Sequence, residues 1–424
     1  MQIVINNIIN KIYSETKKTV KHGVIRVTTL TTGSEAWWQS KNGPEWERQK
    51  ENCRVTFWWR DPAGTQKTSL VKRVWLYVTG VTDHHQNTRP QSLERIPDTD
   101  VWQWQGEFSP EWRGSYCFIP SVNENDFADT VFEGELPDRL ALREGWRRLL
   151  PHAVSDPLNR QSWRGGRGHA VSALEMPDAP VQPGWDRPDT PYQQPVCIEW
   201  NSERLNNRRR VWIFTTGDDG TERPLAVLLD GQFWAESMPV WPALTSLTTG
   251  RQLPPAVYVL IDAIDMEHRN RELPCNPDFW LAVQEELLPL VKHLAPFSDR
   301  ADRTVVAGQS FGGLSSLYAG LSWPQRFGCV LSQSGSYWWP HRGGQQEGRL
   351  IEQLRAGELT ASGLRIVLEA GRNEPLIFNA NQAIYAELRA QQVTWRQVDG
   401  GHDALCWRGG LTQGLMTLWQ PLIQ

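Results

Sequence analysis

The sequence predicts an α/β chain in two parts: an all-β sandwich in the N-terminal half, then a mainly parallel sheet covered by helices. Three observations predict it. Short alternating strands with turn signals fill the first part, strand and helix patterns alternate through the second, and one β-branched run in the second part ends in a Gly-x-Ser-x-Gly turn. A length of 424 residues exceeds one ordinary core, so two domains are expected.

In chain order, residues 1–30 form an extension with no motif. The Met1-Gln-Ile-Val-Ile-Asn-Asn-Ile-Ile-Asn10 segment is apolar in patches but broken by Asn, without a basic start or a small-residue cleavage site, so it does not read as a signal peptide. Residues 31–155 are assigned to the sandwich, whose clearest strands are Arg54-Val-Thr-Phe-Trp-Trp59, Lys72-Arg-Val-Trp-Leu-Tyr-Val-Thr79, Val101-Trp-Gln-Trp104 and Gly114-Ser-Tyr-Cys-Phe-Ile119. Asp61-Pro-Ala-Gly64 and Pro97-Asp-Thr-Asp100 punctuate them as turns. Residues 156–192 are dense in Pro and Gly and read as a linker.

From 193 to 424 the expected strands are Val196–Ile198, Arg210–Phe214, Leu225–Leu229, Val257–Ile261, Thr304–Ala307, Cys329–Leu331, Leu364–Leu368 and Trp395–Val398, with helices between several of them. Sheets of this kind gather function beyond the C-terminal ends of their strands. Asp230, Asp262, Ser310, Glu374 and His402 all fall there.

Among them Ser310 stands out. The run Arg303-Thr-Val-Val-Ala-Gly308-Gln-Ser310-Phe-Gly312-Gly313 is a strand meeting a tight turn. It continues into a helix pattern, Leu314, Leu317, Tyr318 and Leu321, that stops before Pro324. This is the nucleophile elbow of an α/β-hydrolase, where small flanking residues let strand and helix approach. A serine hydroxyl needs a general base and a carboxylate to orient that base, and this fold supplies them in the order Ser, acid, His. His402 follows the last strand in a glycine turn. The acid is Glu374, after the strand at Leu364–Leu368, with Glu369 as the rival. Oxyanion donors are expected from the backbone N–H of Phe311 and of Gln232 or Phe233, with Asp230 an anchor of that loop. His341 lies ahead of the penultimate strand and is given at most a binding role.

Composition narrows the partners. A net charge of -4 and the lack of a Lys/Arg block argue against nucleic acid, and no apolar run is long enough to cross a bilayer. Six scattered cysteines fit a reducing compartment, the cytoplasm. Neither they nor the adjacent His84 and His85 show metal spacing, so no metal or cofactor is expected, and the histidine pair reads as solvated loop. The 23 tryptophans are the outlier. Pairs such as Trp37-Trp38, Trp58-Trp59 and Trp338-Trp339 cannot both point into one strand's core face, because neighbours alternate sides, so some indoles should face a cleft or interface suited to an aromatic ligand. Oligomeric state is not legible.

Seven segments together carry a resemblance. Ser34-Glu-Ala-Trp-Trp-Gln-Ser40, Val78-Thr-Gly-Val-Thr-Asp-His-His85, Gly165-Gly-Arg-Gly-His169, Leu229-Asp-Gly-Gln-Phe-Trp234, Gly308-Gln-Ser-Phe-Gly-Gly313, Ser332-Gln-Ser-Gly-Ser-Tyr-Trp-Trp-Pro340 and Asp399-Gly-Gly-His-Asp-Ala404 resemble the enterochelin esterases, from about Thr31 to near the C-terminus. The resemblance implies an immunoglobulin-like sandwich ahead of an α/β-hydrolase domain of the esterase D type. It implies a cytoplasmic hydrolase of the trilactone of ferric enterobactin, with Ser310, Glu374 and His402 as nucleophile, acid and base. Iron then enters only with the substrate. A ferric tris-catecholate is an aromatic polyanion, so Arg269, Arg271, Arg372, Arg164 and Arg167 are candidate charge partners and Trp234, Trp338 and Trp339 candidate stacking faces. The competing readings are an esterase for another aromatic or acyl ester, and a ferric-siderophore binding protein without catalysis.

Overall fold

The computed structural model describes residues 30–130, 132–133, 136–161, 168–218, 220, 222–341, 347–389 and 391–423. It divides into two units, residues 1–41 and 42–424. Within the first, Glu35–Gln39 is a short helix whose N-cap Ser34 accepts from the Trp37 N–H. Trp37 and Trp38 meet edge to face at 4.7 Å. Because this pair is helical, the alternation expected for neighbours on a strand does not apply to it.

The second unit holds both predicted parts. Its N-terminal strands are β1 (Glu45–Gln49), β2 (Asn52–Arg60), β3 (Arg73–Val78), β4 (Ser92–Arg95), β5 (Val101–Phe108), β6 (Arg113–Ser121), the two-residue pair β7 (Phe132–Glu133) and β8 (Leu136–Pro137), and β9 (Ser172–Glu175). Seven of these form one antiparallel sheet in the order β1-β2-β5-β4-β3-β6-β9. The sheet folds over on itself: Phe57 of β2 and Tyr116 of β6, distant in that order, have rings 5.0 Å apart in one core with Val55, Val74, Leu76 and Phe118. Strand β9 lies inside the stretch expected to be linker. It pairs with β6, Ser115 opposite Ala173, because Ser172-Ala-Leu-Glu175 brings Leu174 to that core.

The C-terminal strands are β10 (Val196–Ser202), β11 (Asn207–Thr215), β12 (Leu225–Leu228), β13 (Val257–Ile261), β14 (Thr304–Gln309), β15 (Cys329–Gln333), β16 (Arg365–Gly371) and β17 (Gln392–Val398), in the order β10-β11-β13-β12-β14-β15-β16-β17. The pairs β10–β11 and β11–β13 are antiparallel; β13–β12, β12–β14 and onward to β17 are parallel. Alternation on β14 shows why the central strands are buried on both faces. Val306 joins one core with Val227, Val259 and Phe279, whereas Val305 and Ala307 join the other with Leu228, Trp241 and Leu411. Among the described residues no helix is long and apolar enough to cross a membrane.

Candidate active site

Strand β14 ends in a turn that lifts Ser310 at φ 59 and ψ -119, outside the usual regions for a residue with a side chain. Close packing forces the turn. A Cβ on Gly308 would lie 2.5 Å from the Gly312 carbonyl carbon, closer than side-chain carbons come. The elbow helix Phe311–Ser322 then runs through the core, with Leu314 and Leu317 buried. Ser310 is tied to the next strand end on both sides: its N–H donates to the Gln333 carbonyl at 3.0 Å and its carbonyl accepts from the Ser336 N–H at 3.1 Å. The Ser310 and Ser336 hydroxyl oxygens are 3.3 Å apart.

That strand end also holds the acid. Ser334 donates its hydroxyl to Glu374 Oε1 at 2.5 Å and accepts the Trp407 indole N–H at 2.9 Å. The Gly371 N–H reaches the same carboxylate oxygen at 2.7 Å. Glu374 Oε2 faces His402 Nδ1 at 2.7 Å. Burial pushes the Glu374 carboxyl up to about 7, against the pull of the Ser334 and Gly371 hydrogen bonds. Glu369, the rival, is turned elsewhere: Gln333 Nε2 donates to it at 2.7 Å and Arg396 pairs with it at 3.3 Å. Ser334 was not singled out from the sequence, although the Ser332-Gln-Ser-Gly-Ser run contains it.

His402 is fixed by its neighbours. The Trp407 ring meets its imidazole edge-on at 4.7 Å, and His85 lies 5.1 Å away on the other wall. His85 comes from the β3–β4 loop of the N-terminal sheet, where His84 stacks on it at 4.1 Å and Tyr77 Oη bonds His84 Nδ1 at 2.8 Å. The expectation that His84 and His85 are solvated is therefore wrong: the loop folds into the cleft instead of away from it. Burial, then the neighbouring His85, Arg143 and His402, hold the His84 imidazole well below its usual range. Asp83 beside it is pushed up to about 7 by burial. Among the described residues no His, Cys, Asp and Glu cluster is placed to hold a metal ion.

The loops that carry Glu374 and His402 are both clamped to the N-terminal sheet. Asp403 caps the helix Ala404–Trp419 and also accepts the Ser115 N–H at 2.6 Å and the Ser115 hydroxyl at 3.0 Å. Gln86 Nε2 donates to the Asn373 carbonyl at 2.6 Å. Gly80 and Gly401 touch backbone to backbone, a Cβ on Gly401 falling 2.6 Å from Gly80 Cα.

The remaining predicted residues divide. Phe311 opens the elbow helix directly after Ser310. The Phe233 N–H already donates to the Asp230 carbonyl at 3.0 Å, which removes it as an oxyanion donor and leaves Gln232. Gln232 is itself anchored, its Oε1 accepting the Ala263 N–H at 3.0 Å. Trp338 is half-buried with its ring 5.7 Å from Phe311, and Trp339 beside it is half-buried too. Arg372 is exposed next to Glu374 and bonds Gln397. Two expectations are overturned. Arg269 is a bidentate partner of Asp230, at 2.6 and 2.8 Å and 9% exposed, so its charge is spent in the loop. Trp234 is 1% exposed with its indole N–H on Gln309, so no ligand can stack on it. Arg271 is exposed, paired with Glu267 and Glu272. Arg164 and Arg167 lie outside the described residues.

The comparisons with known proteins bear on the whole chain. Residues 54–185 match the family model described as enterochelin esterase, N-terminal, and residues 202–418 match the putative esterase model. The chain is 70% identical over 400 residues to the iron(III) enterobactin esterase of Escherichia coli strain K12, covering 93% of this chain and 99% of that one. It belongs to the iron(III) enterobactin esterase family. The crystal structure of the ferric enterobactin esterase of Salmonella typhimurium superposes with a TM-score of 0.89 at 69% identity, over 92% of this chain and 100% of that one. That of the Shigella flexneri enterobactin esterase, determined in the presence of enterobactin, gives 0.84 at 69%, over 93% and 100%. The N-terminal enterochelin esterase match takes in the His84–His85 loop and β9 alike.

Proposed function

We propose that the chain is a serine esterase that hydrolyses the trilactone of ferric enterobactin to linear and then monomeric dihydroxybenzoylserine, releasing iron in the cytoplasm. The observation that carries the reading is the Glu374–His402 pair at 2.7 Å, with Glu374 held by Ser334 of the same loop that ties down the elbow serine, in a chain 70% identical to enterobactin esterases. Ser310 Oγ attacks a lactone carbonyl while His402 takes its proton; Glu374 holds the imidazole with its free nitrogen toward the serine. The oxyanion sits between the N–H groups of Phe311 and Gln232. Collapse breaks the carbonyl–alkoxy bond, and the departing serine alkoxide of the substrate receives the proton from His402. Water, deprotonated by His402, then cleaves the acyl-enzyme and restores Ser310. Trp338, Trp339 and Arg372 line the substrate side. The reaction takes no cofactor, and iron enters as part of the substrate.

In architecture, we read the N-terminal sheet as an immunoglobulin-like sandwich, supported by its folding over one core. The catalytic domain, from about residue 193, is a mainly parallel hydrolase sheet. The linker is shorter than 156–192, since β9 belongs to the sandwich. The test is chromatography of products from ferric enterobactin. Wild type yields linear trimer, dimer and monomer, whereas Ser310→Ala yields none while still binding the substrate; normal turnover by Ser310→Ala overturns the reading.

A further inference from the structure

The helix Arg139–Leu149 carries four arginines, Arg139, Arg143, Arg147 and Arg148, against the single acid Glu144. Its inward face is apolar: Leu142 and Trp146 are buried, and the Trp146 ring sits 5.0 Å from Tyr77. From Tyr77 a continuous line of rings leads through His84 and His85 to His402. Arg143 and Arg147, one helical turn apart, lie on the outer side of this helix, whose Trp146 packs against the Tyr77 end of that line. Both are exposed and both depress the proton affinity of His84, which places their charges within reach of the histidine wall. Together with Leu140, Ala141 and Glu144 they line a surface cleft of their own, in which the two arginines outnumber the one acid. Leu140, 73% exposed, sets an apolar surface beside the two guanidiniums.

We propose that this face, Leu140, Arg143 and Arg147, is the binding site for the iron-bearing end of the substrate, a tris-catecholate anion. The inference rests on the proposed ferric enterobactin reading. In that ligand the lactone ring and the metal lie at opposite ends, so an ester seated at Ser310 points the iron away from the elbow. Three catecholates bring six negative charges and the ferric ion three positive ones, leaving a trianion that displays aromatic faces. Paired guanidiniums beside an apolar side chain suit that combination. Arg147 also pairs with Glu144 at 3.7 Å, an exposed and exchangeable contact that a trianion outcompetes. The enzyme then discriminates iron-loaded from iron-free substrate by charge, on the N-terminal domain and away from the triad.

The test compares ferric with iron-free enterobactin, which lacks the trianion. For Arg143→Ala/Arg147→Ala, KM for the ferric form rises about tenfold at low salt, since two cations facing a trianion are only partly screened, and the effect shrinks at high salt. KM for the iron-free form moves less than about twofold on the same electrostatic argument. Arg143→Lys/Arg147→Lys retains most of the affinity, and Arg148→Ala, which removes one charge off that face, moves neither constant. The ferric preference is repeated as binding, by tryptophan fluorescence in a Ser310→Ala background. Equal losses for both substrates, or none, overturn the site. If wild type hydrolyses neither form, the esterase reading falls first, and the binding arm still decides whether the arginines recognise the anion.

Discussion

Removing the carboxylate of Asp403 tests whether the N-terminal sheet positions the catalytic base. Asp403 is 5% exposed and accepts three hydrogen bonds, from the Leu405 N–H at 2.7 Å and from the N–H and hydroxyl of Ser115 at 2.6 and 3.0 Å. Bonds to a charged acceptor contribute about 1.5–3 kcal/mol each. Asp403→Ala loses all three, strands the Ser115 N–H and removes a helix N-cap, offset by the desolvation that the buried carboxylate no longer pays. The net cost is about 3–5 kcal/mol, the range for breaking a buried charged contact. Ser115→Ala keeps the N–H bond, loses the 3.0 Å hydroxyl bond and costs about 1.5–3 kcal/mol. Because the contact joins two sheets, calorimetry is read alongside amide exchange at Ser115 and Leu405, which reports the contact itself. His402 is the adjacent residue, so kcat falls with exchange protection while KM changes less. An Asp403→Ala variant no less stable than Ser115→Ala, with normal protection and turnover, refutes the reasoning.

Two further outcomes follow from the site. Glu374→Gln lowers kcat about ten-thousandfold, as when a triad acid is replaced by its amide, whereas Glu369→Gln, which pairs with Arg396 and not with His402, costs less than about tenfold and acts on stability; steady-state kinetics on the two separates them. Stability also falls with rising pH through Asp83. Its folded value of about 7 lies above the ordinary 3.8, so its contribution is full below 3.8 and is lost as pH rises through about 7. Asp83→Asn flattens the urea midpoint against pH across that window, leaving the slope from Glu374, which is shifted the same way; an unchanged slope contradicts it.

The central strands of the C-terminal sheet were readable because each is a buried apolar run, the edge strands β10 and β17 by their place in the alternation of strand and helix, and the elbow because its glycines are demanded by backbone contact. Glu374 and His402 were readable from strand order. What spacing does not encode is how a side chain's polar groups are spent. Arg269 and Asp230, distant in sequence, consume each other, and Trp234 gives its N–H to Gln309. The His84–His85 pair was misread for a related reason: its loop belongs to one domain and its environment to the other, and no local pattern reports that meeting. Strand β9 was missed because four residues in a Pro/Gly-rich stretch carry too little alternation.

The meeting of Gly80 and Gly401 has a consequence for how the protein is made. A seam of bare backbone leaves no room for adjustment, so the loop bearing His402 takes its working shape only against a finished surface. Synthesis from the N-terminus provides that surface in time: Ser115 leaves the ribosome 288 residues before its partner Asp403, and Gly80 further still ahead of Gly401, and domains fold as they emerge. The N-terminal sheet acts as an intramolecular mould for the C-terminal one, and the C-terminal half expressed alone would leave the His402 loop unshaped.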